Sequence, residues 1–151
     1  MNNDVMNHFL ESANIVQEDN EYITIDSKLL KCIAKNSDLH KNDMHVWLYF
    51  IAINQPISQK ELIYDVSNGK ENYNKHKTTI FRTEVVSRSV KKLEYYGLLK
   101  VEKVIGTNKF LRARKSIKEL NEIELSRLCD EKISYSEYIK NVKEMGKNIN
   151  L

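Results

Sequence analysis

The sequence predicts a mainly α-helical fold that includes one small β-hairpin and carries additional helices at its N-terminal and C-terminal ends. One proline and four glycines in 151 residues leave few interruptions for helices. Residues 83–101 have the pattern of an amphipathic helix, a glycine stop and an alternating strand. With 41% hydrophobic and 30% charged residues, the chain can bury a globular core.

The N-terminal third combines a polar segment with two elements. The helical spacing of the few apolar residues in 1–21 predicts a short helix or an oligomer contact. The alternating residues 22–25 predict a short strand. Asp26 and Ser27 then offer an N-cap. The helix they open has as its apolar residues Leu29, Leu30, Ile33 and Ala34.

The most apolar part of the sequence is 42–54, which predicts a helix carrying most of the core. Pro56 ends this helix, and Ile57 could form a short strand. Ser58 and Glu61 have the spacing of a capping box, which predicts the start of another helix. The apolar stripe of the first helix is Met44, Trp47, Leu48, Ile51 and Ala52, and that of the second is Leu62, Ile63 and Val66.

The helix at 83–96 combines an apolar face with a face of hydroxyl and cationic side chains. Thr83 is its predicted N-cap, and Gly97 is its predicted left-handed stop. The strand 98–105, a turn at 106–109 and the return strand 110–114 predict a β-hairpin. The preceding linker, 67–82, is polar, basic and unusually long for a compact domain.

Two further helices are predicted in the C-terminal extension, 116–151. The first places Ile117, Leu120, Ile123 and Leu128 on one face. The second begins at a capping box, 134–137, and has an apolar side. That side consists of Tyr138, Ile139, Val142 and Met145, and both helices need a surface against which to bury their stripes.

Charge is concentrated in one part of the sequence. Residues 67–115 hold thirteen cations and four anions, a net charge of +9, whereas the whole chain carries +3. A basic block with acidic flanks is typical of a surface that binds a polyanion such as nucleic acid. We expect a cytoplasmic protein, because there is no cationic and apolar leader and no apolar run of about 18 residues.

The helix, strand and hairpin order at 42–114 resembles the winged helix-turn-helix superfamily. The local motif, 86–99, is similar to the recognition helix and wing of the MarR-like and GntR-like regulators. This resemblance implies a recognition helix in the DNA major groove and a wing at the adjacent groove or backbone. It divides the chain into an N-terminal segment (1–21), a DNA-binding domain (22–115) and a C-terminal helical extension (116–151).

The DNA-binding residues that this resemblance implies lie on the 83–96 helix and on the hairpin. Arg88 could read guanine through two hydrogen bonds, whereas the lysines would neutralise phosphates. If the helix began near Thr78 or Thr79, Arg82 would also face DNA. The full predicted set is Arg82, Thr83, Ser87, Arg88, Lys91, Lys92, Asn108, Lys109 and Arg112.

Other kinds of site have little support in the sequence. The histidines, with His40 and His45 five residues apart, lack metal-ligand spacing. Cys32 and Cys129, far apart in sequence, are expected to be reduced, partly buried thiols. Adjacent Tyr95 and Tyr96 could suggest a DNA-nicking nucleophile, but no His-x-His metal cluster accompanies them. We expect one of these rings in the core and the other on the surface. No catalytic residue, metal or cofactor is predicted.

The function predicted from sequence is site-specific binding of double-stranded DNA by a dimeric bacterial, plasmid or phage transcriptional regulator. Dimers would form through the N-terminal segment, the tail helices or both, and would read two half-sites. One alternative is a DNA-binding adaptor for segregation, conjugation or replication whose C-terminal helices recruit a protein partner. Another is a protein-interaction module built on the same scaffold. The operator sequence and any effector ligand stay open.

Overall fold

The computed structural model describes residues 22–67 and 81–149. It shows a mainly helical fold with a small antiparallel sheet, as predicted. The α-helices are α1 (Ser27–Lys35), α2 (Lys41–Ile53), α3 (Gln59–Val66), α4 (Thr83–Tyr95), α5 (Glu122–Asp130) and α6 (Tyr135–Ile149). The strands are β1 (Ile57–Ser58), β2 (Leu99–Ile105) and β3 (Asn108–Ala113), and a 3-10 helix covers Ile117–Glu119.

Helix α2 runs through the centre of the core, as its composition predicts. The face that it buries is rotated about the helix axis relative to the predicted apolar stripe. The side chains of Val46 and Phe50 are fully buried, and Trp47 is nearly so. Leu48, a member of the predicted apolar stripe, is instead half exposed. The helix buries the face centred on Val46 and Phe50 because α4 and the sheet cover that side.

The sheet has the order β1-β3-β2, and both of its pairings are antiparallel. Ile57 in β1 pairs with Leu111 in β3, and Leu99 in β2 pairs with Ala113. The predicted short strand at Ile57 is therefore confirmed, and it joins the hairpin as a third strand. The hairpin turn is shorter than predicted, because β3 already begins at Asn108.

Local signals predict the boundaries of most helices correctly. The Asp26 side chain caps α1 at the Lys28 N–H, 3.0 Å away. The Ser58 hydroxyl accepts a hydrogen bond from the Glu61 N–H at 3.1 Å, as its half of the predicted capping box requires. The prediction of Thr83 as an N-cap is wrong, since Arg82 holds that position in extended backbone.

Residues 22–25 and the first tail helix differ from what the sequence predicts. Residues 22–25 form no strand, and the chain there is held by a hydrogen bond from the Asp26 N–H to the Lys115 carbonyl. The stripe predicted for the first tail helix is split between the 3-10 helix and α5. Leu120 and Leu128 are buried, but Ile123 is 63% exposed because the chain turns between the two elements.

Tyr95 and Tyr96 are both buried, so the prediction that one ring lies on the surface is wrong. The Tyr95 hydroxyl donates a hydrogen bond to the Ile133 carbonyl, and its ring packs 4.8 Å from that of Tyr138. The Arg127 guanidinium lies over the same ring at 4.2 Å. The α5–α6 region covers Tyr95, which sequence-local patterns do not reveal.

Cys32 in α1 and Cys129 in α5 lie side by side, although 97 positions separate them. Their sulfur atoms are 2.6 Å apart, a proximity that the sequence does not predict, and the predicted reduced state of both cysteines is confirmed. Burial, followed by the hydrogen bond to Cys32, raises the pKa of the Cys129 thiol to about 12. Both cysteines are free thiols, and the raised pKa keeps the Cys129 thiol protonated at neutral pH.

Mild oxidation with glutathione disulfide is expected to convert this pair into an intrachain disulfide between α1 and α5, releasing two molecules of reduced glutathione. The reaction should be slow, because a thiol with a raised pKa supplies little thiolate. Thiol titration and peptide mapping measure it. Cys32→Ser is the matched control and should leave one reactive thiol. A wild-type chain that keeps both thiols, or forms only intermolecular disulfides, would contradict the expected pairing.

Some predictions fall outside the described residues. These include the N-terminal segment 1–21 and almost all of the basic linker, 67–82, whose roles stay predictions. Across 22–67 and 81–149, no helix is long and apolar enough to cross a membrane.

Candidate nucleic-acid interface

Helix α4 has one buried side and one exposed side, as its amphipathic pattern predicts. Val86, Val90 and Leu93 face the core. Arg88 and Lys91 lie on the exposed side. The Arg88 side chain lies along its own helix, with Nε donating to the Glu84 carbonyl at 3.4 Å. Its guanidinium is thereby presented at the surface instead of being held by another element.

A groove of about 420 Å³ runs between α3, α4 and the hairpin. Each of these elements contributes one lysine to its lining: Lys60 from α3, Lys91 from α4 and Lys109 from β3. All three residues are exposed. Since three separate elements bring these cations to one concave surface, a polyanion lying in the groove would meet several positive charges at once.

Glu94 supplies a carboxylate to the same groove. Burial raises the pKa of the Glu94 carboxyl, while the positive charges of Lys109 and Lys91 oppose this rise. The carboxylate reduces the positive charge of the groove and lies close to both lysines. It is also a hydrogen-bond acceptor, which could accept from the amino group of cytosine.

Lys92 is not part of this exposed surface, although it directly follows Lys91. Its ammonium lies 2.9 Å from Asp43 Oδ2 and 3.7 Å from Asp38 Oδ1. It also donates to the Asp38 carbonyl, 2.5 Å away. The side chain is only 13% exposed. Lys92 therefore fixes α4 to the start of α2 and is unavailable to a phosphate.

Asp43 is the centre of this buried arrangement. Its Oδ1 accepts a hydrogen bond from the Ser89 hydroxyl at 2.8 Å, and its Oδ2 accepts one from the His40 N–H at 2.9 Å. We call Asp38, Asp43, Ser89, Lys92 and Tyr96 the Asp43 cluster.

Tyr96 belongs to the cluster through its hydroxyl, which donates to Asp38 Oδ2. Burial and this hydrogen bond to a carboxylate raise the pKa of Tyr96, so the phenol stays protonated. The same Asp38 oxygen accepts from the Tyr135 N–H at 3.0 Å. The cluster thus joins α4 both to α2 and to the first turn of α6.

Two other predicted DNA-binding cations are engaged in ion pairs. Arg112 Nε lies 2.7 Å from Glu102 Oε1 on the neighbouring strand. Arg82 Nε lies 3.8 Å from Glu84 Oε1. Both pairs are partly exposed, so they are weaker constraints than the buried pair at Lys92. Part of the positive charge between 81 and 115 is therefore neutralised within the fold.

The remaining predicted residues lie at or beside the groove. Thr83, Asn108 and Lys109 line it, and Ser87 is half-buried on α4. Lys60 is absent from the DNA-binding residues that the sequence predicts, because the 58–61 motif predicts only the start of a helix. The signal is present in the sequence: Lys60 lies in the first turn of the helix that precedes the predicted recognition helix, close to the same groove.

Comparison of the chain with protein-family models, curated proteins and solved structures found no match. Among the residues that the structure describes, no three His, Cys, Asp or Glu side chains are grouped as they would be around a metal ion.

Proposed function

We propose that this protein binds double-stranded DNA as a winged helix-turn-helix protein and acts as a dimeric transcriptional regulator of bacterial, plasmid or phage origin. The observation that carries the proposal is the groove in which Lys60, Lys91 and Lys109 converge from three elements. Helix α4 would enter the major groove.

The topology supports the same proposal. Helix α2 is followed by β1, α3, α4 and the β2–β3 hairpin, and β1 pairs with the returning strand β3. In a winged helix, this arrangement places the hairpin beside the recognition helix. Lys109 at the start of β3 would then contact the backbone next to the bases that α4 reads.

The Asp43 cluster supports a reading role for α4. Base recognition requires side chains held in fixed positions, and a helix tied by several buried polar contacts loses little further freedom on binding. Ser89 and Lys92 supply those contacts from the side of α4 opposite the groove. The division leaves Lys91 for DNA at the groove, whereas Arg88 is exposed but lines a separate pocket with Ser89 and Lys92.

Selection of bound duplexes from a random pool, with mass measurement of the selected complex, tests the proposal. We expect a palindromic or repeated half-site and two chains per duplex, and affinity should fall steeply as salt increases. Failure to enrich any sequence, together with weak binding at low salt that is insensitive to salt, would instead favour a protein-interaction module.

The role of the groove is tested by replacing Lys60, Lys91 and Lys109 together with alanine. The slope of log affinity against log salt is expected to fall by roughly 2 to 3, because each phosphate contact contributes about 0.9. The matched control removes three exposed lysines of α1, which contributes no residue to the groove: Lys28, Lys31 and Lys35. An equal loss in both variants would assign the effect to net charge alone.

A second arm of the same titration uses Arg88→Ala and Glu94→Gln. Arg88→Ala should weaken the selected site by about 1–3 kcal/mol while leaving random DNA almost unaffected. Glu94→Gln removes an anion from the groove and should strengthen random DNA binding. If Arg88→Ala weakens both DNAs equally, Arg88 contacts phosphate and does not read bases.

A further inference from the structure

The β2–β3 hairpin extends beyond the core of the protein. Every residue from 102 to 109 is exposed, whereas Leu99 and Leu111, nearer the base of the hairpin, are buried. On β2, the three residues before the turn, 103–105, span roughly 10 Å at about 3.4 Å per residue. We call residues 103–109 the hairpin tip. The hairpin tip therefore projects into solvent as a two-stranded ribbon.

The hairpin tip carries a pair of exposed aliphatic side chains. Val104 and Ile105, the last two residues of β2, are each 59% exposed. A strand that packs on a core buries every second side chain, so one of two consecutive residues is normally covered. Here neither is buried, because the strand has already passed the edge of the core. Single exposed aliphatic residues are common on protein surfaces, but this pair lies together at the end of a projecting ribbon.

The pairing register places these two side chains on opposite faces of the hairpin. Val104 pairs with Lys109, and paired residues of antiparallel strands point to the same face. A bulge that follows Val101 shifts the alternation by one residue, so Val104 lies on the same face as Val101. Lys109 lines the groove between α3, α4 and the hairpin, so Val104 lies on the groove side and Ile105 on the far side. The end of the hairpin is therefore apolar on both faces.

Positive charge surrounds the aliphatic pair. Residues 99–113 hold four cations and one anion, a net charge of +3. Lys109 belongs both to the groove and to the hairpin tip, because its partner in the register is Val104. A polyanion that follows the groove is thereby led to the aliphatic pair. Charge complementarity thus selects nucleic acid as the molecule that meets the hairpin tip.

We infer that Val104 and Ile105 form an apolar wedge that enters the minor groove of DNA beside the α4 site and kinks the duplex. Proteins that bend DNA in this way insert aliphatic side chains between two base pairs and partly unstack them. A wedge meets a base pair on each of its faces, so it needs apolar side chains on both, as the hairpin tip has. Docking on a protein partner would use only one face of the ribbon. The turn begins with Gly106, which adds no side chain at the leading edge.

The wedge makes part of the DNA preference depend on how easily the duplex deforms. Pyrimidine–purine steps unstack most readily, so the energy of kinking depends on the sequence at the point of insertion. Selected duplexes should therefore carry a TA or CA/TG step at a fixed distance from the half-site that α4 reads. This inference rests on the proposed DNA binding but can fail separately, because a complex with straight DNA would leave the groove and α4 in their proposed roles.

The first test measures the bend by energy transfer between dyes at the two ends of a selected duplex, at saturating protein. We expect the full-length chain to bend DNA by roughly 20–90°. The double variant Val104→Ser, Ile105→Ser should bend it by roughly half the wild-type angle or less, and should bind about tenfold more weakly. Since the variant removes no cation, the slope of log affinity against log salt should not change.

The matched control is the double variant Ile123→Ser, Val142→Ser. It makes the same two chemical changes on α5 and α6, at side chains that are 63% and 47% exposed. The bend angle at saturating protein should equal that of the wild type. Circular dichroism confirms that both double variants are folded.

The second test, Ile105→Lys, separates a wedge from a phosphate contact. If the tip inserts between base pairs, the bend should be lost. If the tip only lies along the backbone, the added cation should strengthen binding and raise the salt slope by about 0.9 with the bend unchanged, which would overturn the wedge. Straight DNA in the wild-type complex would overturn it too, as would a double serine variant that bends DNA fully or loses only self-association. A wild-type chain that binds no duplex would overturn the proposed function itself, and the wedge with it.

Discussion

Replacing Lys92 with methionine is expected to lower the free energy of unfolding by about 3–5 kcal/mol, although Lys92 lies in a sequence of apparent DNA-binding cations. Methionine retains the aliphatic stem and removes only the charge. Asp43 and Asp38, which are 8% and 18% exposed, would then lose their cation within a largely buried site. Chemical denaturation monitored by circular dichroism measures the loss.

Lys91→Met is the matched control, since it makes the same chemical change one position earlier on the same helix. Lys91 is exposed, so its stability change should stay within about 0.5 kcal/mol. For DNA binding, Lys91→Met should have the larger effect of the two substitutions. It should reduce the slope of log affinity against log salt by about 0.9. Equal stability losses from the two substitutions would contradict the separation of their roles.

A double substitution strengthens the test of the Asp43 cluster. Asp43→Asn removes the charge left unpaired by Lys92→Met, while the amide oxygen can still accept hydrogen bonds from the Ser89 hydroxyl or the His40 N–H. The double variant should therefore be more stable than the sum of the two single losses predicts. Strict additivity would show that the two side chains do not act on each other.

The second large effect is expected for Gly97→Ala, which should cost at least about 2 kcal/mol of stability. Gly97 has a φ of +77°, where an alanine is strained by about 1–2 kcal/mol. An added Cβ would also lie 2.9 Å from Glu124 Cβ. That atom cannot rotate away as the end of a side chain can, so α5 must shift.

Displacement of α5 would disturb a largely buried ion pair as well. Arg114 Nη1 lies 2.5 Å from Glu124 Oε1, and the two side chains are 10% and 15% exposed. Thermal unfolding of Gly97→Ala measures the combined effect.

Gly106→Ala is the control for the backbone contribution, because Gly106 also has a positive φ, +62°, but open space at its Cβ position. Gly106→Ala should lose only the part of the stability that backbone strain accounts for. If the two alanine variants are equally destabilised, the contact with Glu124 contributes nothing.

Much of the fold could be predicted because its signals are local. The Asp26 cap, the Ser58 cap, the glycine stop after α4 and the alternation of β2 each depend on residues close together in sequence. The core position of α2 followed from composition. Its orientation did not, because the face that a largely apolar helix buries depends on which elements pack against it.

The candidate site was less predictable, because contacts with residues distant in sequence determine which of its side chains are exposed. Lys91 and Lys92 are indistinguishable in sequence, and only the position of Asp43, 49 residues earlier, separates their environments. The thiol contact spans 97 positions, and the pairing of β1 with β3 brings Ile57 to Leu111. Periodicity carries no information about such long-range pairings.

Asp38 has a consequence for how this protein can change over evolutionary time. One carboxylate oxygen accepts both the Tyr96 hydroxyl at the end of α4 and the Tyr135 N–H at the start of α6. A substitution at Asp38 therefore alters the support of both helices together. A change that repositions α6 is therefore transmitted through a single carboxylate to the end of the helix proposed to read DNA.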